Sequence, residues 1–180
     1  MTYPARFQLV AAMNPCRCGQ ALEPGYACRK GPNERCVAQY GARISGPLLD
    51  RIDLRIEVGA VTAADLILPP PAEGSAETAA RVAAARALQT ARYAAYDLTG
   101  VVTNATCPAT VIEAVAAPNP EGAALIRLAA ESMRLSARGF HRTLRVARTL
   151  ADLDGEAQVR RLHLAEALSY RGRVERPADA

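Results

Sequence analysis

"ILPPPAEGSAE", residues 67–77, is the stretch at which the character of the chain changes. Its prolines lack backbone N–H donors and each ring fixes φ, so neither a helix interior nor a central strand can run through them. An extended linker is the conformation that remains. Before this stretch the apolar residues run together or alternate; after it they recur at helical spacing. The fold is therefore read as an α/β part at residues 1–66, a linker at 67–75 and an all-α part at 76–173, with a fraying tail at 174–180.

On the first side, "RFQLVAAM" (6–13) is a short apolar run of the kind found in a strand buried on both faces. "IDLRIEV" (52–58) sets Ile52, Leu54, Ile56 and Val58 against Asp53, Arg55 and Glu57, the alternation of a half-buried strand. Between them lie a Gly/Pro/Cys-rich segment and an expected short helix around residues 37–44. Two strands and one helix do not complete a parallel sheet, so this half is read as the end of a larger α/β domain.

On the second side, Ser75 with Thr78 one turn later can cap a helix through about Tyr96, with Val82 and Leu88 on its apolar face. Pro108 and Pro120 are suited to opening two further helices. "SARGFHRTLRVARTLADL" (136–153) begins at a candidate cap, Ser136, and places Phe140, Leu144, Ala147 and Leu150 on one face. "QVRRLHLAEALSYR" (158–171) is the last helix expected.

Half of the 180 residues are apolar, which argues against general disorder, and the net charge of +4 permits an anionic partner without requiring one. No run has the length of a membrane span, and the N-terminus lacks the apolar core of a signal peptide. A soluble, cytoplasmic protein without membrane partners is expected, in which five cysteines point to metal binding or free thiols rather than disulfides. Cys16 and Cys18 form C-x-C, nine residues precede Cys28, and seven more precede Cys36. Four thiolates on a turn-rich loop can converge on Zn²⁺ and staple a segment too polar to fold alone. The spacing departs from common zinc knuckles, so free thiols and redox use of "CRC" stay open. Cys107 is read as a small core residue, and His141 and His163 as packing or surface residues. Arg138, Arg142 and Arg145 share a helical face; for Arg145 and Arg148 a solvated basic face is the expectation.

"YPARFQLVAAMNPCRCG", "ISGPLLDRIDLRIEV", "LSARGFHRTLRVARTLADL" and "HLAEALSYR" together resemble the C-terminal part of bacterial magnesium-chelatase-like AAA+ ATPases of the ComM/YifB type. The resemblance implies the last strands of an AAA+ core followed by a helical lid. In full members a Lon-like domain and Walker motifs lie upstream; no G-x-x-x-x-G-K-S/T pattern occurs in these residues, so this chain alone is expected not to turn over ATP. By the same resemblance Asn14 in "MNP" is sensor 1, acting on the attacking water or the γ-phosphate of Mg²⁺-bound ATP. Arg51 in "GPLLDRIDL" is the arginine finger for a neighbouring subunit, and Arg138 in "SAR" is sensor 2. The residue-level alternatives are an Asn-Pro turn for Asn14 and an ion pair with Asp50 or Asp53 for Arg51. The implied partners are the remaining ATPase core, like subunits in a hexamer-type ring, and DNA, with a link to competence and branch migration. A non-enzymatic, zinc-stapled DNA-binding or protein-interaction module is the rival function.

Overall fold

The computed structural model describes residues 7–19, 21, 27–28, 32–59, 61–62, 65–69 and 72–171. The chain divides into two compact units between Ser45 and Gly46. In the first unit, the helix α1 (Asn33–Gly41) follows the cysteine loop. The second begins with the single turn α2 (Gly46–Leu49) and continues with α3 (Ser75–Ala94), α4 (Ala109–Val115), α5 (Pro120–Ser132), α6 (Ala137–Leu153) and α7 (Arg161–Ser169).

No strand or sheet occurs among the described residues, which corrects the α/β expectation; the extended pairing amounts to one Pro118–Val159 bridge. A strand exists only where its backbone N–H and C=O groups meet a neighbouring strand's, and neither apolar segment has such a neighbour among the described residues. Phe7, Leu9, Val10 and Met13 are exposed, and Val58 is 88% exposed. Within the helical unit the segment 52–58 instead makes a long-range backbone bond, Arg55 N–H donating to the Tyr170 carbonyl (2.8 Å).

The helical unit packs α6 against α3, α4 and α7, with α5 on α7. Along α6 the expected face is buried at Leu144 and Ala147 and partly buried at Phe140 and Leu150. Small side chains at Ala147, Ala151 and Ala167 let the helices approach closely. Gly122 serves the same end, since a Cβ there would stand 2.9 Å from Leu164 Cδ1. Pro120 opens α5 and Ser136 caps α6, as expected, its hydroxyl accepting from Gly139 N–H at 3.0 Å. The α3 cap differs: Gly74 occupies it, its N–H donating to Glu77 Oε2 (3.1 Å) and its carbonyl accepting from Thr78 Oγ1 (2.9 Å). The buried face of α3 is Ala85, Gln89 and Tyr93 rather than Val82 and Leu88, which are exposed.

A polar network joins α3 to α6. Asp152, with a fully buried side chain, is ion-paired to Arg92 and Arg148, and its Oδ2 accepts from Asn104 Nδ2 (2.9 Å). Asn104 also accepts from Tyr93 Oη (2.6 Å), and its backbone N–H donates to Gln89 Oε1 (3.1 Å). Burial pushes the Tyr93 phenol well up from its ordinary value, with the Cys107 thiol adding to the shift. Arg148, expected on a solvated face, is 1% exposed and spans Asp152 and the carbonyls of Glu156 and Ala157. Arg145 also turns inward, donating to the Cys107 carbonyl at 2.8 Å. Cys107 is a core residue.

Candidate metal centre and arginine sites

The four sequence-predicted cysteines converge. Residues 15–19 form a turn closed by Gly19 N–H on the Cys16 carbonyl (3.1 Å), with Gly19 in the left-handed region (φ +82°) that favours glycine. That turn presents Cys16 and Cys18. Cys28 is held by its own N–H donating to Asn33 Oδ1 (2.7 Å) at the start of α1, and Cys36 sits in the first turns of the same helix. The sulfurs of Cys16, Cys18, Cys28 and Cys36 all lie within 4.8 Å of one another, with Cys16–Cys18 at 2.9 Å and Cys18–Cys28 at 3.3 Å. These separations bracket the roughly 3.8 Å sulfur–sulfur edge of a tetrahedral tetrathiolate with metal–sulfur bonds of about 2.3 Å. Cys16, Cys28 and Cys36 are buried.

The Cys16 thiol is pulled down to about 6, chiefly by its hydrogen bond with Cys18, with burial opposing and the N–H groups of Ala21, Cys18 and Gly19 assisting. A thiolate at neutral pH, surrounded by backbone donors, is the form a metal takes up. This set of residues could hold a metal ion.

Asn14 is exposed beside this loop, its amide 3.8 Å from where a Cβ on Gly19 would be, in an open cleft with Ala12, Met13 and Tyr40. The two arginines belong to the helical unit. Arg51 is exposed and donates from Nη1 to the Pro47 carbonyl (2.8 Å), so its expected rival pairing with Asp50 or Asp53 does not form. Those carboxylates are engaged elsewhere. Asp50 accepts from Ser136 Oγ (2.9 Å) and lies 3.7 Å from Arg171 Nη2, while Asp53 pairs with Arg142. Arg138 stands exposed in the first turn of α6, with no hydrogen bond or ion pair among the described residues. Desolvation by burial, with like charge nearby, pulls the guanidinium pKa values of Arg55 and Arg171 down. The two histidines are structural: His141 meets Glu113, and buried His163 bridges Arg160 N–H and Asp154.

Asp50 and Asp53, which the sequence offered only as alternative ion-pair partners of Arg51, are engaged by Ser136, Arg171 and Arg142, long-range partners that no local sequence signal names.

Sequence comparison places this helical unit and the four-cysteine loop before it in a known family. Residues 72–171 match the family "Magnesium chelatase, subunit ChlI C-terminal", and residues 1–66 match "Magnesium chelatase, subunit ChlI". The chain belongs to this magnesium-chelatase ChlI-like family. It is 40% identical over 173 residues to competence protein ComM of Haemophilus influenzae, covering 96% of this chain and 32% of ComM. It is also 37% identical over 184 residues to the YifB protein of Escherichia coli, covering 95% of this chain and 32% of YifB. The chain thus spans about a third of the length of these relatives. Among the described residues no helix is long and apolar enough to cross a membrane.

Proposed function

We propose that this chain is the lid-bearing, metal-stapled portion of a ring-forming AAA+ ATPase that couples ATP hydrolysis to DNA remodelling of the competence or branch-migration type. The observation that carries this reading is the joint placement of Arg51 and Arg138. Both guanidiniums are exposed, and each lies within two residues of one member of the Asp50–Ser136 hydrogen bond. A planar, permanently charged group can take two oxygens of a phosphate, and the first turn of a helix adds favourable partial charge towards an anion.

Mg²⁺-ATP supplies the phosphoryl group to be transferred; the chain's residues bind and orient it. Asn14 holds the attacking water or a γ-phosphate oxygen through an uncharged amide. Arg51 reaches the γ-phosphate bound by the next subunit and stabilises the charge that develops on it. Arg138 ties the position of α6 to the presence of that phosphate in its own subunit. The four thiolates would hold one structural Zn²⁺, tying down the loop behind Asn14 with no part in the chemistry.

The reading is tested by joining this chain to the upstream two thirds of ComM and assembling the product. Arg51→Ala is expected to lower turnover on the order of a thousandfold while one subunit's nucleotide affinity stays intact. Mixing it with subunits altered only in the Walker motif should restore some activity. Unaltered turnover in Arg51→Ala would remove the finger role. A second reading, a zinc-stapled DNA-binding or interaction module without catalysis, is favoured by one observation: these residues bring four thiols together and pack a helical core. Magnesium-dependent ATP turnover by this chain alone would exclude it.

A further inference from the structure

The segment just after α2 is bound to the helical unit at three points that skip Arg51. Asp50 Oδ2 accepts from Ser136 Oγ at 2.9 Å, and the same hydroxyl accepts from Gly139 N–H at 3.0 Å. One side chain therefore caps α6 and holds residue 50 at once. Three residues further on, Asp53 pairs with Arg142, which lies one turn beyond Arg138 on the same helix. Two residues after that, Arg55 N–H donates to the Tyr170 carbonyl at 2.8 Å, at the end of α7. Arg171, 4% exposed, backs the contact: its Nη2 is 3.7 Å from Asp50 Oδ1, and a Cβ on Gly139 would come within 3.3 Å of that nitrogen.

These contacts join residues 86 and 89 positions apart in sequence, yet they are not core packing. The Asp53 side chain is 46% exposed, and pairs of that kind add little to stability. Their geometric effect is larger than their energetic one. Arg51 and Arg138 point outward from two chain segments that these bonds hold in fixed register.

We propose that Asp50 and Asp53 are positioning residues that latch the segment bearing Arg51 to the helix bearing Arg138, so that the two arginines move as one body. This rests on the roles proposed above for those arginines. The group facing the neighbouring subunit's phosphate would then shift whenever α6 answers to its own, giving adjacent sites a mechanical link through one chain. Neither aspartate touches nucleotide.

Two measurements test it, and the first does not depend on the arginine roles. In the full 180-residue chain, Asp53→Ala and Arg142→Ala should each speed amide exchange across residues 51–56 by roughly two- to fivefold. The exchanged pair, Asp53→Arg with Arg142→Asp, should restore protection. Unchanged exchange in both single variants overturns the latch. The second uses the assembled ATPase carrying this chain. Asp53→Ala should lower kcat with KM nearly unchanged, and the exchanged pair should recover kcat, which a general loss of stability would not do. Full kcat in Asp53→Ala, alongside inactive Arg51→Ala and Arg138→Ala, overturns the latch and leaves the arginine roles standing. Full kcat in Arg51→Ala and Arg138→Ala overturns those roles and the latch's function with them, whatever the exchange result.

Discussion

The two units of the chain are held together by different materials. In the helical unit, Tyr93, Ile112, Leu144, Val159 and Leu164 close an apolar core beside the Asp152 network. In the first unit the buried cluster consists of Cys16, Ala21, Cys28 and Cys36, with Cys18 and Val37 against it. Hydrocarbon burial on the order of 25 cal/mol per Å² sustains the first kind of core. A cluster of small thiol side chains offers little such area, and bonds to a metal are what the proposed zinc site would add to it. In this cluster the Cys16 thiol is pulled down to about 6, chiefly by its hydrogen bond with Cys18.

The comparison is broken most severely by metal removal. Protein purified without chelator should carry about one Zn²⁺ per chain, and its withdrawal should abolish amide protection around residues 14–19 and 32–41 while leaving that of residues 75–169 unchanged. Structural zinc contributes about 10–16 kcal/mol in small peptides, far more than this loop's packing could supply. Metal-free protein with four reactive thiols and a still-ordered loop would end the metal assignment.

A substitution at Asp152 should produce the converse. Its buried carboxylate pairs with both Arg92 and Arg148 and accepts from Asn104, so Asp152→Ala leaves the Arg148 guanidinium in the core without its counterion. Losing one partner of a buried ion pair costs about 3–5 kcal/mol. For a unit of this size the melting temperature should fall by more than about 10 °C, read by calorimetry. Zinc content should not change. A variant that melts like the parent would show that the network is not what holds α3 to α6.

What could be read in advance follows the same division. The helix Ala137–Leu153 was legible because its cap, its spacing and its apolar face all lie within one local stretch. The cysteine cluster was legible by residue type, despite spacing that matches no common motif. The two strands were misread because alternation and apolar runs describe faces, whereas a strand requires a neighbour that no local pattern can name. Tyr93, Asn104 and Asp152 were missed for a related reason: hydrophobic periodicity does not register a polar core. For Arg148 a signal did exist, since an Arg four residues before an Asp on one helix face is a pair.

The smallest effect on the fold should come from the residues assigned to function, and that sharpens the contrast between scaffold and site. Arg138 is exposed, follows the Ser136 cap, and has no partner among the described residues. A positive charge in the first turn of a helix is mildly unfavourable to the helix, because the turn already carries partial positive charge. Arg138→Ala should therefore change unfolding free energy by no more than about 0.5 kcal/mol, and if anything upward. Ser136→Ala, two residues earlier, should cost about 1 kcal/mol or more through loss of the bonds to Gly139 N–H and Asp50. Denaturant melts of the two variants side by side make the comparison. An anion bound at the helix end, as the proposed phosphate role of Arg138 requires, would reverse the sign of this small effect. Arg138→Ala should therefore lose any stabilisation that added nucleotide gives the assembled ATPase, while Ser136→Ala keeps part of it. If Arg138→Ala instead destabilises the bare chain by as much as Ser136→Ala, the arginine is structural and its phosphate role falls.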